Sequence, residues 1–171
     1  MRIGLQRSAI TMSKDYYIVG TKYGRGIEDV YPDMLALGAV SVGFSRQIDL
    51  SDWYGASEKD IIEHLKKLGE SEISYHNLKR FLNIKAGDLI AIKRSGSPLG
   101  NMARLVIAGY AIAEARDGKV YCHDPNGLGH LIYVKFLNTE SDKEFSLGYG
   151  QAVHKLTRES HIRQIFSDYG A

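Results

Sequence analysis

Residues 87–137 read GDLIAIKRSGSPLGNMARLVIAGYAIAEARDGKVYCHDPNGLGHLIYVKFL. Four pieces of this stretch, GDLIAIKR (87–94), ARLVIAGYAIAEAR (103–116), KVYCH (119–123) and HLIYVKFL (130–137), are dense in Ile, Val, Leu and Tyr and follow a period of two. Asp117-Gly118, between the second and third, is a two-residue hairpin signal, because both residue types tolerate the positive φ such turns need. The stretch predicts an antiparallel meander. Upstream the period becomes helical. Leu78, Phe81 and Leu82 share one face of a short helix. Before it, Ser57 with Asp60 makes a capping-box-like start to a helix with Ile61, Ile62, Leu65 and Leu68 on its apolar face, and Gly69 stops it. Earlier still, Tyr17-Ile18-Val19-Gly20 reads as a buried strand ended by Gly20, Gly24 and Gly26, and Ala39–Phe44 as a second strand. Downstream, Thr157 is placed to cap a last helix with Ile162, Ile165 and Phe166 facing inward. The expected fold is α+β: a small twisted β-barrel of five or six mostly antiparallel strands, flanked by two or three helices and closed so that no edge is exposed. Residues 1–13 lack periodicity and Met12 offers a second start, so a loosely ordered N-terminal segment is expected before one domain over 14–171.

Composition agrees with one ordinary domain: 171 residues, 44% hydrophobic and 25% charged, with Gly 18 and Pro 3. No apolar run approaches the roughly eighteen residues of a membrane helix, and the charged start MRIGLQRSAITMSKD is unlike a signal peptide. A cytoplasmic chain without a membrane partner is expected. Cys122 is the one cysteine, which excludes an internal disulfide and any zinc site needing two thiolates. The charge balance, 22 − 20 = +2, neither demands nor excludes nucleic acid. Most aromatic residues carry a hydroxyl, Tyr 11 against Phe 5 and Trp 1, which suits half-wet pockets and interfaces as well as strand rims.

Enzyme chemistry finds little support. Cys122 and His123 are strand neighbours and point to opposite faces, so they do not share a proton. His123, Asp124 and His130 could converge on a metal, but Asp124, Pro125, Asn126 and Gly127 are turn formers and the histidines are expected on exposed hairpin edges. Asp142, Lys143 and Glu144 lack the strand-borne acidic partner a magnesium site would want. The expectation is no catalytic residue, no metal and no cofactor.

The glycine-rich pieces GTKYGRG (20–26) and SGSPLGN (95–101) follow apolar strands but lack the Gly-Lys-Ser/Thr ending of a phosphate loop. Both have basic neighbours: Lys22 and Arg25 in the first, Lys93 and Arg94 before the second, Arg104 after it. They are either solvated hairpin loops or grips for a sugar-phosphate backbone, to which Ser95, Ser97 and Asn101 would add polar contacts. The segment GFSRQIDLSDWYG (43–55) sets Phe44, Trp53 and Tyr54 beside Arg46, Asp49 and Asp52. Aromatics in such a loop either fold onto the core or line a slot. Base stacking is worth ~1–3 kcal/mol, enough to hold one extruded nucleotide.

DYYIVGTKYG (15–24), VSVGFSRQIDLSDWY (40–54), LKRFLNIKAGDLIAIKRSG (78–96), RLVIAGYAIAEA (104–115) and the strand that opens with Gly129-His130 together resemble an EVE-like member of the PUA/YTH/EVE group. They are most similar to the N-terminal modified-DNA-binding domains of McrBC-type, modification-dependent restriction systems. The resemblance runs from about Tyr16 to Phe166. It implies a twisted barrel that reads a modified base flipped into an aromatic-lined pocket, with no catalysis of its own. Phe44 and Trp53 match the segment that carries pocket aromatics, Tyr23 matches the loop after the first strand, and residues 95–101 match a loop that approaches nucleic acid. Methyl-reading cages usually hold two or three aromatics with Trp prominent, and this chain departs from that with its one Trp.

The combined expectation is a reader of double-stranded DNA carrying a modified base. Tyr23, Phe44, Trp53 and Tyr54 would offer faces and Ser41 or Asp49 would read the base edge. Lys22, Arg25, Arg46, Lys93, Arg94, Ser95, Ser97, Asn101 and Arg104 would bind the backbone, and any NTPase or nuclease would be a fused or separate subunit. An RNA reader on the same barrel, a small hydrolase or metalloenzyme on the DPNGLGH hairpin and an interaction module with a Tyr-rich interface are the alternatives.

Overall fold

The computed structural model describes residues 13–24, 27–95, 98–99 and 102–171. Its elements run β1 (Tyr16–Gly20), β2 (Lys22–Tyr23), β3 (Glu28–Asp29), α1 (Tyr31–Leu37), β4 (Ala39–Val42), α2 (Glu58–Lys67), α3 (Glu72–Phe81), β5 (Leu89–Ser95), β6 (Pro98–Leu99), β7 (Met102–Ala103), β8 (Leu105–Ala113), β9 (Tyr121–Asp124), β10 (Gly129–Asn138), β11 (Lys143–Phe145), β12 (Val153–Lys155) and α4 (Glu159–Ile165). The main sheet has the order β12-β1-β5-β8-β10-β4, with β9 alongside β10 and β11 alongside β8. β1 and β5 pair in parallel, Tyr16 opposite Leu89 through to Gly20 opposite Lys93, and the other pairings in this sheet are antiparallel. The sheet curls into a half-barrel of an α+β fold.

Strands that are apolar at successive positions need cover on both faces, and the three central strands receive it. Inside the curl, Tyr17, Val19, Ile90, Ile92 and Ala111 meet Ile61 and Leu65 of α2 and Leu78 and Phe81 of α3. On the outer face Ile18, Ala91, Ile107 and Tyr110 are covered by Ile165 and Phe166 at the end of α4. The expected start and stop of α2 are present: Asp60 N–H donates to Ser57 Oγ at 3.1 Å, and Gly69 leaves α2 with φ +80°. Leu68, expected on the buried face, sits past the end of α2 and is half exposed.

Several expectations change. α1 was not foreseen, although Pro32 in its first turn and the left-handed Gly38 at its end mark a helix by start and stop rather than by period. Arg158, not Thr157, stands at the N-cap of α4, without a side-chain cap bond. Asp117 and Gly118 do form a turn with φ 53° and 79°. The turn joins one bridge, Arg116 with Lys119, and β8 and β9 do not pair with each other. Instead they follow one another along β10, β9 against Gly129–Ile132 and β8 against residues 134–138. A tight turn dictates a reversal, and the ten-residue β10 offers both arms a longer ladder than they offer each other. The sheet also stays open, ending at β12 and β4, rather than closing on itself. No helix among the described residues is long and apolar enough to cross a membrane.

One buried amide ties the helices to the sheet edge: Asn77 accepts from Val153 N–H at 3.0 Å and donates to the Ile73 carbonyl at 2.8 Å. Asn77→Ala leaves a buried β12 N–H without an acceptor, and urea denaturation should register a loss of about 1–3 kcal/mol.

Candidate functional site

The parallel pairing of β1 with β5 brings their carboxyl ends together, and β4 ends beside them. Around these three ends opens a cleft of ≈ 940 Å³. The β2–β3 hairpin forms one wall with Tyr23 and Lys22, the segment Gly150–Ala152 forms another, and Phe44, Arg46 and Ile73 lie along the rim. A smaller cavity of ≈ 560 Å³ adjoins it, sharing Phe44, Ile73, Gly150 and Ala152.

Tyr23 is fixed from below. Its hydroxyl donates to the Leu128 carbonyl at 2.8 Å and accepts from Ser41 Oγ at 2.7 Å, and burial pushes it up to about 12. The Arg46 guanidinium lies 5.7 Å from the ring centroid and donates to the Gly127 carbonyl. Gly43 makes the arrangement possible, since a Cβ there would stand 2.9 Å from the Tyr23 ring. The loop after β4 is held from behind by two stacked imidazoles, 5.5 Å apart. His123 Nε2 lies 2.8 Å from the Arg46 carbonyl and His130 Nε2 lies 3.1 Å from the Ser45 carbonyl. Carbonyls only accept, so both Nε2 atoms carry the proton and His130 Nδ1 accepts from Tyr121 O–H at 2.7 Å. His130 is fully buried, not on an exposed hairpin edge as the turn pattern suggested. Both histidines are spent on loop carbonyls, and the described residues contain no group of three or more metal-ligating side chains.

Lys93 changes role. It is not an exposed strand-end cation: its residue is 7% exposed and lines the cleft. Its ammonium donates to the carbonyls of Tyr149, at 2.9 Å, and Gln151, and among the described residues it meets no carboxylate. Desolvation lowers it to about 8. Beside it Thr21, joined through its N–H to the Lys93 carbonyl at 3.0 Å, also lines the cleft, and its buried hydroxyl has no partner among the described residues. Lys22 and Arg94 are half-exposed lining residues in surface pairs with Asp29 and Asp142, pairs that exchange readily for other anions. Among the described residues Glu28 is the one carboxylate on the lining, against Lys22, Arg46, Lys93 and Arg94.

Of the expected base-pocket set, then, Tyr23, Phe44 and Ser41 come together, but Ser41 has no exposed surface and supports Tyr23 rather than reading a base. Trp53, Tyr54 and Asp49 are elsewhere. Trp53 stacks on His64 of α2, 4.1 Å between centroids at 13°, and packs against the main core. Tyr54 packs on that core and donates to the Ile84 carbonyl, and Asp49 is exposed and accepts from Ser51. Arg104 is bound to Glu144 at 2.7 Å outside the cleft. Ser95 ends β5, while Arg25, Ser97 and Asn101 lie outside the described residues. Sequence reasoning missed Thr21, Gly43, Ile73 and Gly150–Ala152. Those positions are cleft residues only because distant strands end together. Compared with known proteins, the chain matches no family model, and no curated protein matches it.

Burial holds His130 and His154 near 4, against an ordinary 6.5, with His154 also beside Lys93 and Arg80. Both imidazoles therefore bind protons more readily in the unfolded chain. Their contribution to stability should be full above about 6.5 and fall as pH drops toward 4. The His130 contribution is on the order of 3 kcal/mol when fully lost. Chemical denaturation at a series of pH values should show this decline, with a shallower slope in His130→Gln; an unchanged slope would contradict the neutral, carbonyl-bound imidazole.

Proposed function

We propose that this protein is a non-enzymatic reader of DNA that holds one nucleotide, extruded from a duplex and carrying a modified base, in the cleft at the ends of β1, β4 and β5. The observation that carries this reading is the union in one open cleft of aromatic rings, Tyr23 and Phe44, with the cations Lys22, Arg46 and Arg94. At ≈ 940 Å³ the cleft has room for a nucleoside, as it falls within the usual span of about 300–1,000 Å³ for small-molecule sites. Rings supply stacking faces, while cations at the mouth suit phosphates that stay outside as the base rotates inward. The half-barrel with its helices fits the EVE-like resemblance, and Tyr23 and Phe44 fall within the segments that carry it. In a McrBC-type restriction system such a domain is the specificity module, with motor and nuclease in other segments or subunits.

The test is a binding panel of duplexes bearing cytosine or adenine modifications against plain duplex, at fixed salt. Phe44→Ala should weaken binding to the preferred modified duplex by about tenfold or more, corresponding to one lost stack, and plain duplex far less. Lys22→Ala and Arg94→Ala should weaken both alike and flatten the salt dependence by about one phosphate each. Equal losses for modified and plain DNA in Phe44→Ala would remove the base pocket, and tighter binding to matched RNA would change the target.

A further inference from the structure

Lys93 and Thr21 are buried residues on the lining of the cleft and carry hydrogen-bond donors, and this bears on which bases the site accepts. Two of the three ammonium donors of Lys93 are used by the Tyr149 and Gln151 carbonyls. Among the described residues the third has no acceptor, and neither does the buried Thr21 hydroxyl. A lysine whose residue is 7% exposed and whose ammonium meets no carboxylate among the described residues is costly to keep unless its remaining donor is answered. The Gly20 position next to it would place a Cβ 3.3 Å from Lys93 Cε, so the strand partner lacks a side chain where the lysine stem passes. The other lining cations stand apart: Lys22 and Arg94 have side chains 39% and 45% exposed and belong to the mouth, and Arg46 donates to the Gly127 carbonyl. With the strand held outside, a phosphate of an extruded nucleotide would stay at the mouth, and the part that would reach Lys93 and Thr21 is the base edge.

Resting on the reading of the cleft as a base pocket, we infer that Lys93, aided by Thr21, is its specificity-determining group and selects bases that present a carbonyl acceptor over adenine. Lysine has donors and no acceptor. Cytosine, thymine, uracil and guanine each offer an exocyclic oxygen; adenine accepts only at its ring nitrogens, and its exocyclic group, a donor, would face the ammonium donor to donor at the position where the other bases carry oxygen. A site built around a buried donor discriminates strongly against a base that leaves it unanswered.

The experiment uses the full chain and duplexes containing one bulged nucleotide, C, T, U, G or A in turn, since an unpaired base costs least to extrude and isolates the preference of the pocket. Affinities are measured at one salt concentration for the wild type and for Lys93→Met, which keeps the stem and removes the donors, with a thermal melt to establish that the variant is folded. The carbonyl-bearing bases should bind on the order of tenfold more tightly than adenine, and Lys93→Met should bring the five affinities together. Wild-type affinities that do not depend on the base, or that favour adenine, overturn the inference while leaving a nucleic-acid reader in place. The same holds if folded Lys93→Met retains the preference, which would make Lys93 only a fastening for the Tyr149–Gln151 segment. Failure of the wild type to bind any of the duplexes removes the underlying reading, and this inference with it. Should Lys93→Met fail to fold, the wild-type ranking alone still decides against the inference if adenine is not disfavoured, and Thr21→Val, expected to narrow the gap, supplies the second variant.

Discussion

The parallel ladder between Tyr16–Gly20 and Leu89–Lys93 is the constraint on which the rest of the molecule depends. Parallel neighbours cannot be joined by a tight turn, so the chain between them must travel, and here it carries β4, α2 and α3 on the way. Those helices then fill the inside of the curl, where Leu78 and Phe81 meet Tyr17 and Ile90. The same ladder aligns two carboxyl ends, and the glycine at the end of β1 faces Lys93, two residues before the end of β5. Had β1 paired antiparallel to β5, Gly20 and Lys93 would lie at opposite ends of the sheet and no cleft of this composition would exist.

What keeps the cleft shaped is a set of polar contacts that are spent on structure. Tyr23 is fastened by Ser41 and the Leu128 carbonyl, Arg46 by the Gly127 carbonyl, and the loop between Gly43 and Ile48 by two imidazoles. Each removes a group from the list of those able to meet a ligand while fixing the position of one that can. Held rings and stems lose less conformational freedom on binding, which favours a site that is formed before its ligand arrives. Lys93 and Thr21 stand out against this background because their polar atoms are buried and incompletely answered.

Much of the fold was legible in local pattern. The strands at 89–95, 105–113 and 129–138 follow from dense β-branched and apolar residues, and α2 from Ser57 at its start and Gly69 at its end. What failed depended on partners far away in sequence. A tight Asp-Gly turn could not reveal that β10 would take both of its arms, and a short helix without period, α1, was visible only through Pro32 and Gly38. The aromatic segment was ambiguous for the same reason. Phe44 and Trp53 sit in one polar loop, yet Trp53 finds His64 on α2 and Phe44 finds the cleft, and nothing within the loop distinguishes them. Strand-end cations divided likewise: Arg104 meets Glu144 across to β11, while Lys93 turns inward, a fate set by Gly20 on a strand more than seventy positions earlier.

The most direct test of the central claim is to map, by the backbone amide shifts of isotopically labelled protein, where a duplex carrying the preferred base touches it. Perturbations should concentrate at residues 20–24, 41–46, 93–94 and 150–152, and should be larger than those caused by plain duplex. A map centred on α4 and β11, or one indifferent to the base, would contradict the cleft as the site of recognition.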